Sequence, residues 1–135
     1  MNKQTQSDRL NEMYTTYGLL PEDMFKEARQ GWTIFRRQGI DKIQAAAKID
    51  ITYEPIVVEK DFVVIKAKGM MDDQTIETFG EADRNSNCRQ TYPVAMAEKR
   101  AMSRVVLKLT GFYALGHFSE DEGDFQKAAI TKETL

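Results

Sequence analysis

Residues 91–111 have the sequence TYPVAMAEKRAMSRVVLKLTG, which predicts one helix of about five turns. Thr91 or Tyr92 is the expected N-cap. Pro93 suits the first turn because its missing N–H is not needed there, and Gly111 fits a left-handed C-cap. Apolar residues recur at helical spacing on one broad face: Val94, Ala97, Ala101, Met102, Val105, Val106 and Leu109. The rest of the chain is expected to fold around this helix.

Basic residues lie off that apolar face at Lys99, Arg100, Arg104 and Lys108. The last three are spaced i, i+4 and i+8, so they predict a basic edge that either solvates the helix or holds an extended polyanion. Glu98 falls within the apolar face, where an unpaired carboxylate is costly to bury. Either the face opens to solvent there, or Glu98 lies at an oligomer interface and pairs with a basic residue of a neighbouring subunit.

The composition predicts one globular domain. The chain has 135 residues, of which 41% are hydrophobic, and this is enough for a substantial core. No apolar run approaches the roughly 20 residues that a membrane span requires, and the N-terminus lacks the apolar segment of a signal peptide. A cytoplasmic location is therefore expected. One cysteine and one histidine predict neither an internal disulfide nor a Cys/His metal site.

Residues 49–82 predict three consecutive antiparallel strands. Alternating apolar residues mark the first strand at 49–58, in which Pro55 indicates an edge or a bulge. The second and third strands are expected near 62–68 and 75–81. Because the long helix follows them, the order is β-β-β-α. The predicted fold is α+β, with a three-stranded antiparallel meander packed on the long helix.

The flanking segments are predicted to be smaller additions to this core. Residues 1–30 read as an N-terminal helical arm, with a second short helical segment opened by Pro21. Residues 32–35 predict a short extra strand, and 40–48 a short helix. Residues 119–135 predict a short C-terminal helix or a frayed acidic tail.

Positive charge is concentrated in one part of the chain, although the net charge is −2. Residues 84–108 carry six basic residues and one acidic residue, and such a local field attracts phosphate. A basic turn at 36–37 and one face of the second strand add further cations. The candidate DNA-binding residues are Arg36, Arg37, Lys66, Lys68, Arg84, Arg89, Lys99, Arg100, Arg104 and Lys108. Trp32, Tyr53, Phe62 and Tyr92 are candidate stacking platforms, although a core position is favoured for each.

The sequence contains none of the common glycine-rich or nucleophile motifs of enzymes that bind nucleotides or transfer acyl groups. We therefore predict no ATP hydrolysis, no catalytic residue, no resident metal and no cofactor. The acidic residues at 72–73 and 120–122 would suit Mg²⁺ in a nuclease, but turn and cap signals explain them more simply. His117 lies among apolar residues and is expected to be structural.

Residues 78–112, TFGEADRNSNCRQTYPVAMAEKRAMSRVVLKLTGF, follow the predicted strands and together with them resemble the core of phage single-strand annealing proteins of the Sak/Erf type. That group belongs to the superfamily of the eukaryotic Rad-fifty-two recombination mediator. The resemblance covers about residues 31–118. The matching features are Gly80, the loop 83–91, Ala97, Lys99, Arg100, Ala101, Arg104, Lys108 and Gly111.

The resemblance implies a function in homologous recombination and DNA repair. Proteins of this family form rings that hold single-stranded DNA in a basic groove without ATP, so it implies DNA and further copies of the chain as partners. It also implies that the protein is encoded by a phage and acts in the cytoplasm of the host. An exonuclease or a single-strand-binding protein is a further implied partner. Two other classes stay open: a protein-interaction or accessory module that uses the same small fold, and a metal-dependent nuclease.

Overall fold

The structure, a computed structural model, describes residues 5–88 and 91–123. Its helices are α1 (Gln6–Thr16), α2 (Arg37–Ala47) and α3 (Pro93–Thr110). Its strands are β1 (Met24–Lys26), β2 (Thr33–Phe35), β3 (Asp50–Val58), β4 (Phe62–Met71), β5 (Gln74–Asp83) and β6 (His117–Ser119). Short 3-10 turns cover Pro21–Asp23, Tyr113–Leu115 and Glu120–Glu122. The predicted α+β class is confirmed.

Strands β3, β4 and β5 form an antiparallel sheet in that order. Along β4, buried Val63, Ile65 and Ala67 alternate with more exposed residues, as expected for a strand with one face on the core. The register between β3 and β4 shifts between Pro55 and Val57, and β3 is an edge strand, so Pro55 lies at an irregularity on a sheet edge, in agreement with the prediction of an edge or a bulge. Each strand extends within a few residues of its predicted ends.

Helix α3 begins and ends where the sequence predicts. Tyr92 is the N-cap, Pro93 occupies the first position, and Gly111 closes the helix with a φ of 89°, a conformation that favours glycine. The helix packs mainly on β5 and β4. A Cβ on Gly80 would collide with the backbone of α3 at Ala97 and Ala101. Glycine is therefore required there for the helix to approach β5 this closely.

Strands β1, β2 and β6 form a second, smaller sheet. β1 pairs with β2 in antiparallel orientation, and β6 pairs with β2 in parallel orientation. The second helical segment predicted after Pro21 is wrong, because the chain makes a 3-10 turn there and then enters β1. Pairing of Met24 with Phe35 across the two strands supplies a contact that local helical spacing does not reveal.

The N-terminal helix α1 is attached to the core around Phe112. The ring of Phe112 lies within 6.1 Å of the rings of Tyr14, Tyr17, Phe35 and His117, measured between centroids. Phe112 itself is fully buried and directly follows α3. α1 and the small sheet therefore pack together at the end of the long helix. Within the described residues, no helix combines the length and the apolar character needed to cross a bilayer.

Candidate nucleic-acid interface

Arg100 is buried, although the sequence places it on an exposed basic edge. Only 3% of its surface is exposed. Its Nε donates to the carbonyl oxygen of Asp121 at 2.6 Å, Nη1 to that of Glu81 at 2.7 Å, and Nη2 to that of Asn87 at 2.6 Å. The prediction that Arg100 faces solvent is therefore wrong. The guanidinium joins α3 to β5, to the following loop and to the C-terminal turn.

Arg104 is also withdrawn from solvent, with a side chain that is 19% exposed. Its Nε donates to Glu122 Oε2 at 2.8 Å, and its Nη2 donates to Glu122 Oε1 at 2.6 Å. Two further bonds of 2.9 and 3.0 Å reach the carboxylate of Glu81. The hydrogen bonds that Arg104 donates to Glu122, and then those to Glu81, raise the pKa of Arg104 and outweigh burial, which lowers it. The hydrogen bond from Arg104 is also the main reason that the pKa of Glu81 is lowered.

The two arginines also occupy the outer edge of β5. The backbone carbonyl oxygens of Phe79 and Glu81, on the edge strand β5, accept hydrogen bonds from Arg104 and Arg100, respectively. An unpaired strand edge offers such carbonyls to other chains. Side chains of α3 therefore block this part of the β5 edge. The acidic residues that complete the arrangement, Glu81 and Glu122, were not among the predicted site residues.

Within the described ranges, Lys99 and Lys108 form no ion pair, and Arg100 is bonded to carbonyl oxygens rather than to a carboxylate. Lys108 is exposed, and its Nζ lies 5.1 Å from the centre of the Tyr113 ring. The two lysines are nine positions apart, which at about 100° per residue places them on opposite sides of the helix. Of the predicted basic edge of Arg100, Arg104 and Lys108, only Lys108 is exposed, and Lys99 is not part of that edge.

Lys66 and Lys68 lie on the other face of the large sheet. Val63, Ile65 and Ala67 alternate with them and are buried on the side of α3, so the two lysines project away from the helix. Lys66 Nζ lies 3.1 Å from Glu54 and 3.7 Å from Glu77. The hydrogen bond with Glu54 is the main reason that its pKa is raised. The structure therefore does not bring these lysines together with Arg100, Arg104 and Lys108.

The remaining candidate cations are dispersed. Arg84 Nη1 is 3.3 Å from Asp61, in the turn before β4. Arg37 starts α2 and forms ion pairs with Asp41 at 3.2 Å and Asp121 at 3.9 Å. Arg36 is the N-cap of α2, and its guanidinium stacks over Phe25 at 5.0 Å. The predicted basic turn is thus the start of a helix. Arg89 lies outside the described residues.

Glu98 is exposed beside an uncovered part of the large sheet. The helix contacts β3 far less than it contacts β4 and β5. Tyr53, Ile56 and Val58 on β3 consequently remain exposed. Burial chiefly raises the pKa of Tyr53, and the negative charge of Glu98 adds to this rise. Of the two alternatives for Glu98, the single chain shows the first. The apolar face of α3 opens to solvent at Glu98, and apolar residues of β3 are exposed nearby.

The predicted stacking residues are more exposed than the sequence suggests. Trp32, Tyr53, Phe62 and Tyr92 are all among the exposed large hydrophobic residues of the described chain, so the favoured core positions are wrong. Local sequence does not decide these cases, because exposure depends on which surfaces the rest of the fold covers.

His117 has a structural environment, as predicted. Its Nδ1 is 3.1 Å from the carbonyl oxygen of Leu115, which can only accept, so Nδ1 carries the proton. The Tyr14 hydroxyl then donates to Nε2 at 2.6 Å. Burial is the main cause of a lowered pKa at His117, with a smaller contribution from Lys26, while the bond to Leu115 opposes it. The neutral imidazole therefore holds α1 against the core.

The acidic residues considered for Mg²⁺ have other contacts. Asp72 forms the turn between β4 and β5 with a φ of 54°, and Asp121 accepts hydrogen bonds from Ser103 and Ser119. Across residues 5–88 and 91–123, no group of three or more Asp, Glu, His or Cys side chains is arranged to hold a metal ion.

Comparisons of the chain with protein-family models, curated proteins and solved structures found no match.

Proposed function

We propose that this protein binds single-stranded DNA and anneals complementary strands without ATP, as a homo-oligomeric ring acting in phage recombination. The observation that carries the proposal is the packing of α3 on β4 and β5 after a β-β-β order. Gly80, Ala97 and Ala101, three of the residues on which the resemblance to annealing proteins depends, form the close contact in that unit. The meander packed on one long helix is the finer architecture that this proposal assigns.

The uncovered part of β3 supports self-association. Tyr53 and Val58 expose apolar surface on β3, which is an edge strand of its sheet, and the charge of Glu98 acts on Tyr53. An exposed apolar edge favours pairing with another chain. Because Arg100 and Arg104 block part of the β5 edge, we assign the subunit contact to β3 and the adjacent N-terminal half of α3. Assembly would also bring lysines of neighbouring protomers into one continuous binding surface.

Fluorescence anisotropy with labelled single-stranded and duplex DNA tests this function, with light scattering on the same samples. We expect preferential single-strand binding without sequence preference, and assemblies larger than one chain. If about four phosphates are neutralised per protomer, the logarithm of the binding constant should decrease linearly with the logarithm of the salt concentration, with a slope of about −3. Pairing of complementary oligonucleotides should accelerate without ATP or Mg²⁺. A slope of zero, or a protein that stays monomeric with and without DNA, would refute the proposal.

A protein-interaction module is the second candidate, and the ion pairs of Arg84, Arg104 and Lys66 favour it. Cations that already have carboxylate partners attract phosphate less strongly. This candidate predicts a salt-independent association through the exposed β3 surface and no acceleration of strand pairing. The same titrations therefore distinguish the two functions.

A further inference from the structure

Three aromatic side chains form a row on the small sheet and the turn that follows α3. We call Trp32, Phe118 and Tyr113 the aromatic row. The ring centroids of Trp32 and Phe118 are 5.0 Å apart, with an interplanar angle of 69°, and those of Phe118 and Tyr113 are 5.1 Å apart at 89°. These are edge-to-face contacts, which fix ring orientation.

The row is assembled by the parallel pairing of β6 with β2. Phe118 lies opposite Ile34 in this register, and Trp32 directly precedes β2. Tyr113 belongs to the 3-10 turn between α3 and β6. The three residues therefore come from parts of the chain that only the tertiary structure brings together.

Solvent reaches both ends of the row. Trp32 is 39% exposed and Tyr113 is 36% exposed. In an edge-to-face pair, the ring that presents its edge keeps both of its faces free of its partner. The exposed parts of Trp32 and Tyr113 can therefore contact a further planar group.

A cation completes the row at Tyr113. Lys108 Nζ lies 5.1 Å from the centre of the Tyr113 ring, and the rest of the Lys108 side chain is exposed in the last turn of α3. Within the described part of the chain, no carboxylate lies within ion-pair distance of Lys108. Its charge is therefore available to an anionic ligand, in contrast to the charge of Arg104.

We propose that the aromatic row and Lys108 form a stacking site for one or two unpaired bases of a single strand, with Lys108 on the adjacent phosphate. The proposal rests on the single-strand binding function proposed above and locates it on a surface that the basic edge of α3 does not predict. A row of rings that ends in a cation matches the alternation of planar bases and anionic phosphates. Duplex DNA is excluded because its bases are already stacked and paired.

Trp32 makes this site directly observable, because it is the one tryptophan of the chain. We would titrate the full-length protein with a thymidine oligonucleotide and record tryptophan fluorescence and anisotropy together. A second titration would use an abasic oligonucleotide of the same length, which has the phosphates but no bases. We expect the thymidine strand to quench Trp32 and the abasic strand to bind more weakly without quenching.

Tyr113→Leu is the informative variant, since it removes the ring and keeps an apolar side chain. We expect about tenfold weaker binding of the thymidine strand and unchanged binding of the abasic strand. Phe79→Leu is the matched control, because Phe79 is an exposed aromatic on the outer face of the large sheet. It should bind both strands like the unmodified protein. Melting temperatures of both variants would verify that each is folded.

The outcomes separate this site from the general function. Anisotropy that detects no strand binding at all would refute both proposals. Binding without Trp32 quenching, or equal losses in Tyr113→Leu and Phe79→Leu, would refute the stacking site alone. A Tyr113→Leu loss that is the same for both oligonucleotides would assign the row to packing rather than base recognition. Selective capture of an apolar, acidic peptide in place of DNA would identify the row as a protein-docking surface and overturn the proposal.

Discussion

Helix α3 carries two arginines and two lysines that look alike in sequence but have different surroundings. Arg100 donates to three backbone carbonyls and Arg104 lies between two carboxylates, and both are largely buried. Lys108 is exposed and Lys99 partly so, and neither forms an ion pair within the described residues. The arginines are held by contacts within the fold, whereas the lysines have no carboxylate partner among the described residues.

The chemistry of the side chains explains this division. A guanidinium presents five N–H donors in a fixed plane and is weakly hydrated, so it suits a site with several acceptors. The β5 edge, the loop after it and the turn Glu120–Glu122 supply such acceptors around Arg100 and Arg104. A lysine ammonium is a strongly hydrated point charge and stays in water more readily. Counting basic residues therefore overestimates the charge available to DNA.

Removing the Arg100 side chain should lower the free energy of unfolding more than the other substitutions considered below. We expect Arg100→Ala to lower the free energy of unfolding by about 4 kcal/mol, because three buried carbonyls lose a charged donor. Lys108→Ala is the control and should change it by less than about 0.5 kcal/mol. Urea unfolding of both variants measures the difference. Equal stabilities would mean that Arg100 is a surface residue, as the sequence pattern suggests.

Displacing the helix should separate the arginines from their acceptors. We expect Gly80→Ala to cost about 3 kcal/mol, since the added methyl group meets the backbone of α3 at Ala97 and Ala101. Gly123→Ala is the control, because a Cβ there has no neighbour among the described residues and the backbone is extended. Thermal unfolding should show a large decrease in Tm for Gly80→Ala and none for Gly123→Ala. A similar Tm for both would show that α3 packs less closely on β5.

The charge pairing of Arg104 can be tested through pH. The pKa of Glu81 is lowered from 4.5, chiefly by its bond with Arg104, so this pairing stabilises the fold above pH 4.5 and is lost as the pH falls through the folded-state pKa. Because Glu81 is partly exposed, we expect Glu81→Gln to cost only about 1 kcal/mol at neutral pH.

Chemical denaturation at neutral pH and at a pH well below 4.5 would measure this effect. The stability difference between Glu81→Gln and the unmodified protein should shrink in acid, where both side chains are neutral. A difference that stays constant with pH would instead attribute the effect to packing.

Lys108 should show the smallest effect on stability and a clear effect on DNA binding. We expect Lys108→Gln to weaken single-strand binding about fivefold near 0.1 M salt and to make the salt slope shallower by about 0.7, since one phosphate contact is lost. Lys60→Gln makes the same charge change at the exposed turn before β4 and should leave affinity unaltered. Anisotropy at two salt concentrations compares them. Identical losses would indicate a general charge effect instead of a site.

Much of the architecture could be predicted from local sequence. Pro93 and Gly111 set the ends of α3, alternation marked β3 to β5, and Pro55 marked the irregularity on the sheet edge. Each of these signals acts between residues that are close along the chain. Met24–Lys26 was mispredicted as helical because its strand exists only through pairing with β2.

The candidate site depended far more on contacts between distant residues. Helical spacing places Arg100, Arg104 and Lys108 on one edge of α3, but the partners of the two arginines come from segments about 20 residues away on either side, at Glu81 and Glu122. The aromatic row likewise requires β6 to lie beside β2, which are more than 80 residues apart in sequence. The sequence by itself determined helix α3 and strands β3 to β5, because backbone preference and hydrophobic spacing are local. Only the tertiary structure decided which charges are neutralised and which rings meet, because electrostatics and stacking depend on distance in space.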